Sequence, residues 1–284
     1  MAQFEVRNLI EAFGSVITGL DLAKAFDDET RVRLREIFFE RGALAFQGLD
    51  IDTVSQDRLC RMLCGDDERD AGQRNPQYVS NTEKGGAAPY GRLLYHGDLM
   101  WHAQPFQVLS LYGQKVEPGA ATTSLASSVV AWERLPAQLR AKVENLQARH
   151  VTGTVLSRGG DDLLQSNREE EISTIKPVKL IHPRTGKPIL YVSQQCTREI
   201  VGFAPDESEA LLQELFSYIY APEVVYAHVW RDGDLLVFDN LAMQHARSNV
   251  ELHGPKRTLR KVIAPVPKVS MESPTFEKVR QSAG

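Results

Sequence analysis

Short runs rich in β-branched and aromatic residues, each closed by turn residues, recur along the chain and limit what it can become. QVLSLYGQKV, ATTSLAS, VVYAHVW, DLLVFDN and RTLRKVIAPV read as strands, as do two runs in KPVKLIHPRTGKPILYVSQQ around the turn HPRTGK. Asp232 and Gly233 supply the turn between VVYAHVW and DLLVFDN, and ALAFQGL reads as one more short strand. Helical patterns are fewer. Asp27 or Asp28 caps a helix with Val32, Leu34, Ile37 and Phe38 at helical spacing, and TVSQDRLCRMLCG forms a second that ends at Gly65. SSVVAWERLPAQLRAKVENLQ carries a helix around Pro136, with Leu139, Val143 and Leu146 on one face, and PDESEALLQELFSYIY is capped near Asp206. The pattern predicts a mainly β protein with flanking helices, of the α+β class, in which a β-sandwich core is wrapped by helices.

No repeat and no Pro/Gly/Ser linker interrupts the 284 residues, so residues 1–284 are expected to form one domain. Two polar stretches, 66–91 and 158–171, read as surface excursions of the kind that frame sites in enzymes.

The charge balance, 33 Lys plus Arg against 37 Asp plus Glu, excludes a basic groove for nucleic acid. No apolar run reaches membrane-spanning length, and MAQFEVRNLIEAFG lacks the basic flank and apolar stretch of a signal peptide. The expectation is a soluble, cytoplasmic protein with no membrane partner. Three cysteines rule out a disulfide scaffold, and Cys60 and Cys64, four apart on a helix with no second pair, read as buried thiols rather than zinc ligands.

The chemistry gathers around LLYHGDLMWH. His96 and Asp98, two apart on an extended segment, project from one face, where an imidazole and a carboxylate can share a metal ion. With His245 from DNLAMQHARSN they form a two-His, one-carboxylate set, which suits non-haem Fe(II) and leaves positions open for a bidentate co-substrate and O2. Arg257 heads RTLRKVIAP, where its guanidinium can fork onto the far carboxylate of a dianionic acid such as 2-oxoglutarate, and Thr122 or Thr123 can add a hydroxyl. Trp101 is a candidate for the substrate mouth. His150 and His228 alternate with apolar neighbours and read as core histidines, while His182 and His253 read as turn residues. Asn240 is expected to fix the turn before His245, Asp239 to be a structural hydrogen-bond acceptor, and Arg260 to face away from Arg257.

Together these motifs resemble the Fe(II)/2-oxoglutarate dioxygenases of the taurine and dichlorophenoxyacetate dioxygenase type. The resemblance runs from GSVITGLDL through HGD, EPGAATT and ILYVSQQCTREIVGF to GDLLVFDNLAMQHARSN and PKRTLRK. It implies a double-stranded β-helix, or jelly roll, with His96, Asp98 and His245 as iron ligands and Thr123 and Arg257 on 2-oxoglutarate. It further implies Fe(II), 2-oxoglutarate and O2 as cofactor and co-substrates, hydroxylation with release of succinate and CO2, and a dimer or tetramer. The chain carries Tyr95 before the first ligand, Lys261 four residues after Arg257, and Cys196 where the taurine enzyme has a pocket Phe. Lys261 would share a strand face with Arg257 and meet an anionic group of a small polar substrate, within a remodelled pocket lined by Tyr95, Trp101 and Cys196. Two other readings use the same residues: a zinc hydrolase with an activated water, and a non-catalytic jelly-roll binding module.

Overall fold

The computed structural model describes residues 4–66, 68–72, 75–103, 105, 107–164, 171–251, 253–264 and 276–279. In chain order the strands are β1 (Glu5–Asn8), β2 (Ser15–Thr18), β3 (Ala43–Phe46), β4 (Gln77–Ser80), β5 (Gly91–His96), β6 (Val108–Val116), β7 (Thr123–Ser127), β8 (Gln147–Val151) and β9 (Glu171–Pro177). They continue as β10 (Lys179–Ile181), β11 (Pro188–Leu190), β12 (Thr197–Ile200), β13 (Val225–His228), β14 (Leu235–Asp239), β15 (Met243–Val250), β16 (Arg257–Ala264) and β17 (Phe276–Val279). The helices are α1 (Asp28–Arg41), α2 (Thr53–Cys64), α3 (Ser128–Arg134), α4 (Ala137–Val143) and α5 (Pro205–Ile219).

The fold is a jelly roll. A larger sheet, ordered β1-β2-β3-β14-β6-β16-β4, faces a smaller one, ordered β13-β7-β15-β5. Strand alternation divides the core into layers. Leu236 and Phe238 of β14, with Leu109 and Leu111 of β6, point inward and pack against Leu125 and Met243 of the smaller sheet. Leu235 and Val237 point the other way, onto Leu34 and Phe38 of α1 and Leu59 and Leu63 of α2. On the far side, Ala126 of β7 meets Trp132, Leu139, Leu212 and Phe216 of α3, α4 and α5. Each fully buried Leu or Phe in these layers stabilises the fold by about 1.5–3 kcal/mol.

α1 and α2 form as expected: the Asp27 and Asp52 carboxylates accept from Thr30 N and Ser55 N, and Gly42 and Gly65 close the helices at positive φ. Elsewhere the structure corrects the expectations. The helix expected around Pro136 is two short helices, because Pro136 has no N–H to continue α3 and instead caps α4. α5 begins at Ala204, whose N–H is met by Glu207, so Asp206 lies within the first turn rather than at the cap. The 66–91 excursion holds a 3-10 turn, Glu68–Asp70, and strand β4, which hydrogen-bonds to the edge of β16. β8, β12 and β15 are strands that their mixed composition hid. Within the second excursion residues 165–170 lie outside the described residues. The Asp232–Gly233 turn carries the chain from the smaller sheet at β13 to the larger one at β14; Gly233 has φ +78, and a Cβ there would meet Leu49 O at 2.7 Å. Cys60, Cys64 and Cys196 are buried free thiols. No helix among the described residues is long and apolar enough to cross a membrane.

Candidate active site

β5 and β15 are antiparallel neighbours, and their register sets His96 directly opposite His245, with the imidazole centroids 4.2 Å apart. The chain then turns sharply, so that Asp98 Oδ1 lies 3.3 Å from His96 Nε2 and 3.7 Å from His245 Nε2. One ligand atom from each of the three residues falls within 4.8 Å of the others, the only such cluster among the described residues. The residue between His96 and Asp98 is glycine because a Cβ there would meet Asn240 O at 2.9 Å and Met100 Cγ at 3.2 Å.

The donor set suits a divalent ion. His96 Nδ1 lies 2.7 Å from Leu94 O, an arrangement in which Nδ1–H donates and Nε2 keeps its lone pair toward Asp98. Burial, reinforced by the neighbouring His96, pushes the His245 pKa down to about 3, so its imidazole is neutral and able to ligate. Burial alone would raise the Asp98 carboxyl, but the Lys261 ammonium and the two imidazoles hold it well below the usual carboxylate range. Asp98 Oδ2 accepts from Lys261 Nζ, so Oδ1 is the oxygen left toward the histidines.

Asn240 does more than fix a local turn. Its Oδ1 accepts from Asp98 N at 2.8 Å and its Nδ2 donates to Asp98 O at 2.8 Å. Asp239, next along, accepts from His182 Nε2 at 2.9 Å, Gln107 Nε2 at 3.1 Å and the backbone N–H groups of Leu241 and Ala242. His182, beside a turn as expected, is also buried as a partner of Asp239. His150 and His228 are buried as expected.

Deeper between the sheets, Thr123 Oγ1 accepts from Arg257 Nη2 at 2.8 Å and from Trp230 Nε1 at 2.9 Å. Of the two threonines considered, Thr122 instead meets Ser248 near the surface. Arg257 is 3% exposed, its Nε has no hydrogen-bond partner, and burial with the nearby Arg247 pushes its pKa down to about 9. A buried guanidinium with an unmatched donor, beside a hydroxyl, has the chemistry to accept a carboxylate.

Lys261 shares the inner face of β16 with Arg257, whereas Arg260 turns outward onto Gln56 and the carbonyls of Ile51 and Asp52. Cys196 packs with Met100, Tyr191 and Leu241, with Trp101 against the same cluster; burial and then the charge of Asp98 push its thiol up to about 12. Tyr95 is not brought to the triad. Alternation puts it on the other face of β5, where it stacks on Tyr220 with centroids 4.2 Å apart.

Sequence reasoning missed Trp230, Arg247 and Lys176. The Lys176 ammonium is buried with no carboxylate paired to it among the described residues, and donates to Met100 O at 2.9 Å and His102 O at 2.8 Å, pinning the segment that follows Asp98. That segment includes Leu99 at φ 57, an unusual conformation for a branched residue. No local pattern marked these residues, since each acts on a segment far away in the chain.

The family model described as "Taurine catabolism dioxygenase TauD, TfdA family" matches residues 5–263. The (S)-phenoxypropionate/alpha-ketoglutarate-dioxygenase of Sphingobium herbicidovorans is 27% identical over 266 residues, covering 85% of this chain and 88% of that protein. Two solved structures share the fold at a TM-score of 0.74. One is AAD-2 in complex with Mn(II) and N-oxalylglycine, at 23% identity, covering 92% of this chain and 97% of that one. The other is a taurine dioxygenase from Burkholderia xenovorans, at 24% identity, covering 97% and 96%.

Proposed function

The chain belongs to the TauD/TfdA family of dioxygenases, and from that premise we propose that it hydroxylates an unactivated C–H bond of a small polar or anionic substrate. It is an oxidoreductase that uses Fe(II), 2-oxoglutarate and O2. In the proposed reaction one oxygen atom of O2 enters the substrate as hydroxyl and the other enters succinate, as 2-oxoglutarate loses CO2.

His96, Asp98 and His245 are the proposed metal ligands. Fe(II) held there would supply the oxidising chemistry. The remaining work falls to the chain. Arg257 and Thr123 receive the distal carboxylate of 2-oxoglutarate, which fixes the direction in which its keto acid end points. Asn240 and Lys261 hold Asp98 so that a single oxygen faces the imidazoles. The Lys261 ammonium, with three donors, also offers a point charge to an anionic substrate group. Cys196 and Trp101 lie on the apolar cluster beside Asp98, where they restrict water and shape the substrate space. Tyr95, on the other face of β5, supports that wall through Tyr220 rather than by touching substrate.

The observation that carries this reading is the pairing of a His/His/carboxylate cluster with a buried guanidinium that has a donor to spare. A zinc hydrolase with an activated water needs no 2-oxoglutarate, and nothing in that reading calls for Arg257 at this spacing. The test is to add Fe(II) and then 2-oxoglutarate to the protein without oxygen and record the visible spectrum, and to repeat it with Arg257→Ala. A weak charge-transfer band that needs both additions, and far more 2-oxoglutarate in the variant, is expected. A folded wild type that gives no band overturns the reading.

A further inference from the structure

Arg247 stands two residues beyond His245 on β15 and takes no part in the machinery above. It is 4% exposed, and among the described residues no carboxylate pairs with it. Its guanidinium donates to three backbone carbonyls in the segment that leads into β5. Nη1 reaches Ala88 O, and Nη2 reaches Tyr90 O at 2.8 Å and Gly91 O at 2.5 Å, while Nε is buried without a partner. Ala88 has φ 49, a conformation that side chains other than glycine rarely adopt and that persists where surrounding contacts hold it. Arg247 is one such contact, and the backbone bonds of neighbouring Ala87 to Tyr78 and Ser80 are others.

The other side of Arg247 faces the anion receptor. In the β15–β7 register Arg247 is paired directly with Thr123, so the two side chains share the inner face of the smaller sheet. Thr123 is the hydroxyl to which Arg257 donates. Two buried guanidiniums, each with an unmatched Nε–H, therefore flank one threonine, with no acid between them among the described residues. Like charges so placed repel, and an entering carboxylate would relieve both.

We propose that Arg247 is a positioning residue that couples occupancy of the Arg257–Thr123 receptor to closure of segment 81–91: a dicarboxylate bound there holds Arg247 in place, and Arg247 holds Ala88, Tyr90 and Gly91. The inference rests on the 2-oxoglutarate reading and adds a consequence to it. Coupling is reciprocal, so whatever the bound acid contributes to the order of segment 81–91, the ordered segment returns as affinity for the acid. The wall beside the first metal ligand is thereby held more firmly once the co-substrate has arrived.

The test uses the full chain loaded with Mn(II), which keeps the keto acid intact, and reads 2-oxoglutarate affinity by calorimetry and amide hydrogen exchange of residues 81–91. In wild type, saturating 2-oxoglutarate is expected to slow exchange there by a factor within the range of about 5- to 150-fold typical of site coupling. Arg247→Gln is expected to bind 2-oxoglutarate roughly tenfold more weakly, with no slowing at saturation. Arg247→Lys keeps the charge without the fork, so affinity should remain within a few-fold of wild type while the slowing is lost. A residue that merely supports the fold would change exchange equally with and without the acid. Wild-type affinity and wild-type slowing in Arg247→Gln overturn the inference. If that variant does not fold, unchanged exchange of 81–91 in saturated wild type overturns it as well. Absence of 2-oxoglutarate binding in wild type is a different outcome, and it sinks the parent reading.

Discussion

Asn240 grips the backbone of Asp98 at both ends, accepting from its N–H and donating to its carbonyl at 2.8 Å each. A side chain from the turn before β15 thus sets the orientation of a carboxylate just past β5. Asn240→Ala removes both bonds and leaves two polar backbone groups to find new partners, at about 1–3 kcal/mol for each one left buried. Mn(II) affinity is expected to fall roughly 10- to 100-fold, the usual cost of losing a group that orients a metal ligand. A folded variant that titrates with Mn(II) like wild type would exclude the clamp.

Gly97→Ala tests the same turn from the other side. The added Cβ would lie 2.9 Å from Asn240 O, a backbone atom that cannot swing aside. A loss of about 1–3 kcal/mol in urea unfolding is expected, together with weakened metal binding. Gly160→Ala, whose Cβ would meet only Asp162 Oδ1 at 3.4 Å, is the matched control and should leave both nearly unchanged. Equal effects from the two substitutions would count against the steric argument.

Lys261 lets Asp98 stay ionised in a buried place. Burial opposes the charge, and Lys261 followed by the imidazoles more than offsets it, leaving the carboxyl pKa depressed. Lys261→Met removes the strongest of these supports, so protons should compete with metal at higher pH than in wild type. Mn(II) affinity measured downward from pH 7 should fail earlier in the variant; coincident curves would show that Lys261 has no hold on the carboxylate.

Lys176 makes stability rise with pH, in the same sense as a salt-bridged carboxylate but in a higher pH window. Burial lowers its pKa to about 7 in the folded state against 10.5 for the free side chain. Between those values the unfolded chain binds the extra proton, so this residue adds stability as pH rises from 7. Below pH 7 both states are protonated and the full burial penalty remains. In urea midpoints from pH 7 to 9.5, subtracting a Lys176→Met series from wild type should leave a rising difference, up to about 1.4 kcal/mol per pH unit. A flat or falling difference would refute the buried amine.

Much of this was legible in the sequence where the signal is local. Asp27 with Gly42 and Asp52 with Gly65 delimit α1 and α2 because caps act within a few residues of their own helix. The inward pair Arg257 and Lys261, and the outward Arg260, follow from strand alternation alone. β15 was hidden because its polar residues are satisfied by partners elsewhere: Gln244 by Ser128 and Val192, Arg247 by Ala88 to Gly91. Tyr95 was expected at the substrate because it neighbours His96, yet adjacency along a strand separates side chains to opposite faces. Asn240 looked like an ordinary turn residue because its partner, Asp98, is remote in sequence.

The face-to-face seating of His96 and His245 on hydrogen-bonded strands also bears on how such a chain can diversify. The ladder between β5 and β15 fixes the two imidazoles by backbone pairing, and the 154–164 stretch and the turn that carries Cys196 brace β5 through backbone bonds of Asp162 and Leu164 to Arg92 and of Gln195 to Tyr95. Side chains on those parts can change while the backbone bonds, and with them the two imidazoles, stay in place. A library randomised there should return many proteins that still take up iron and differ only in what they oxidise.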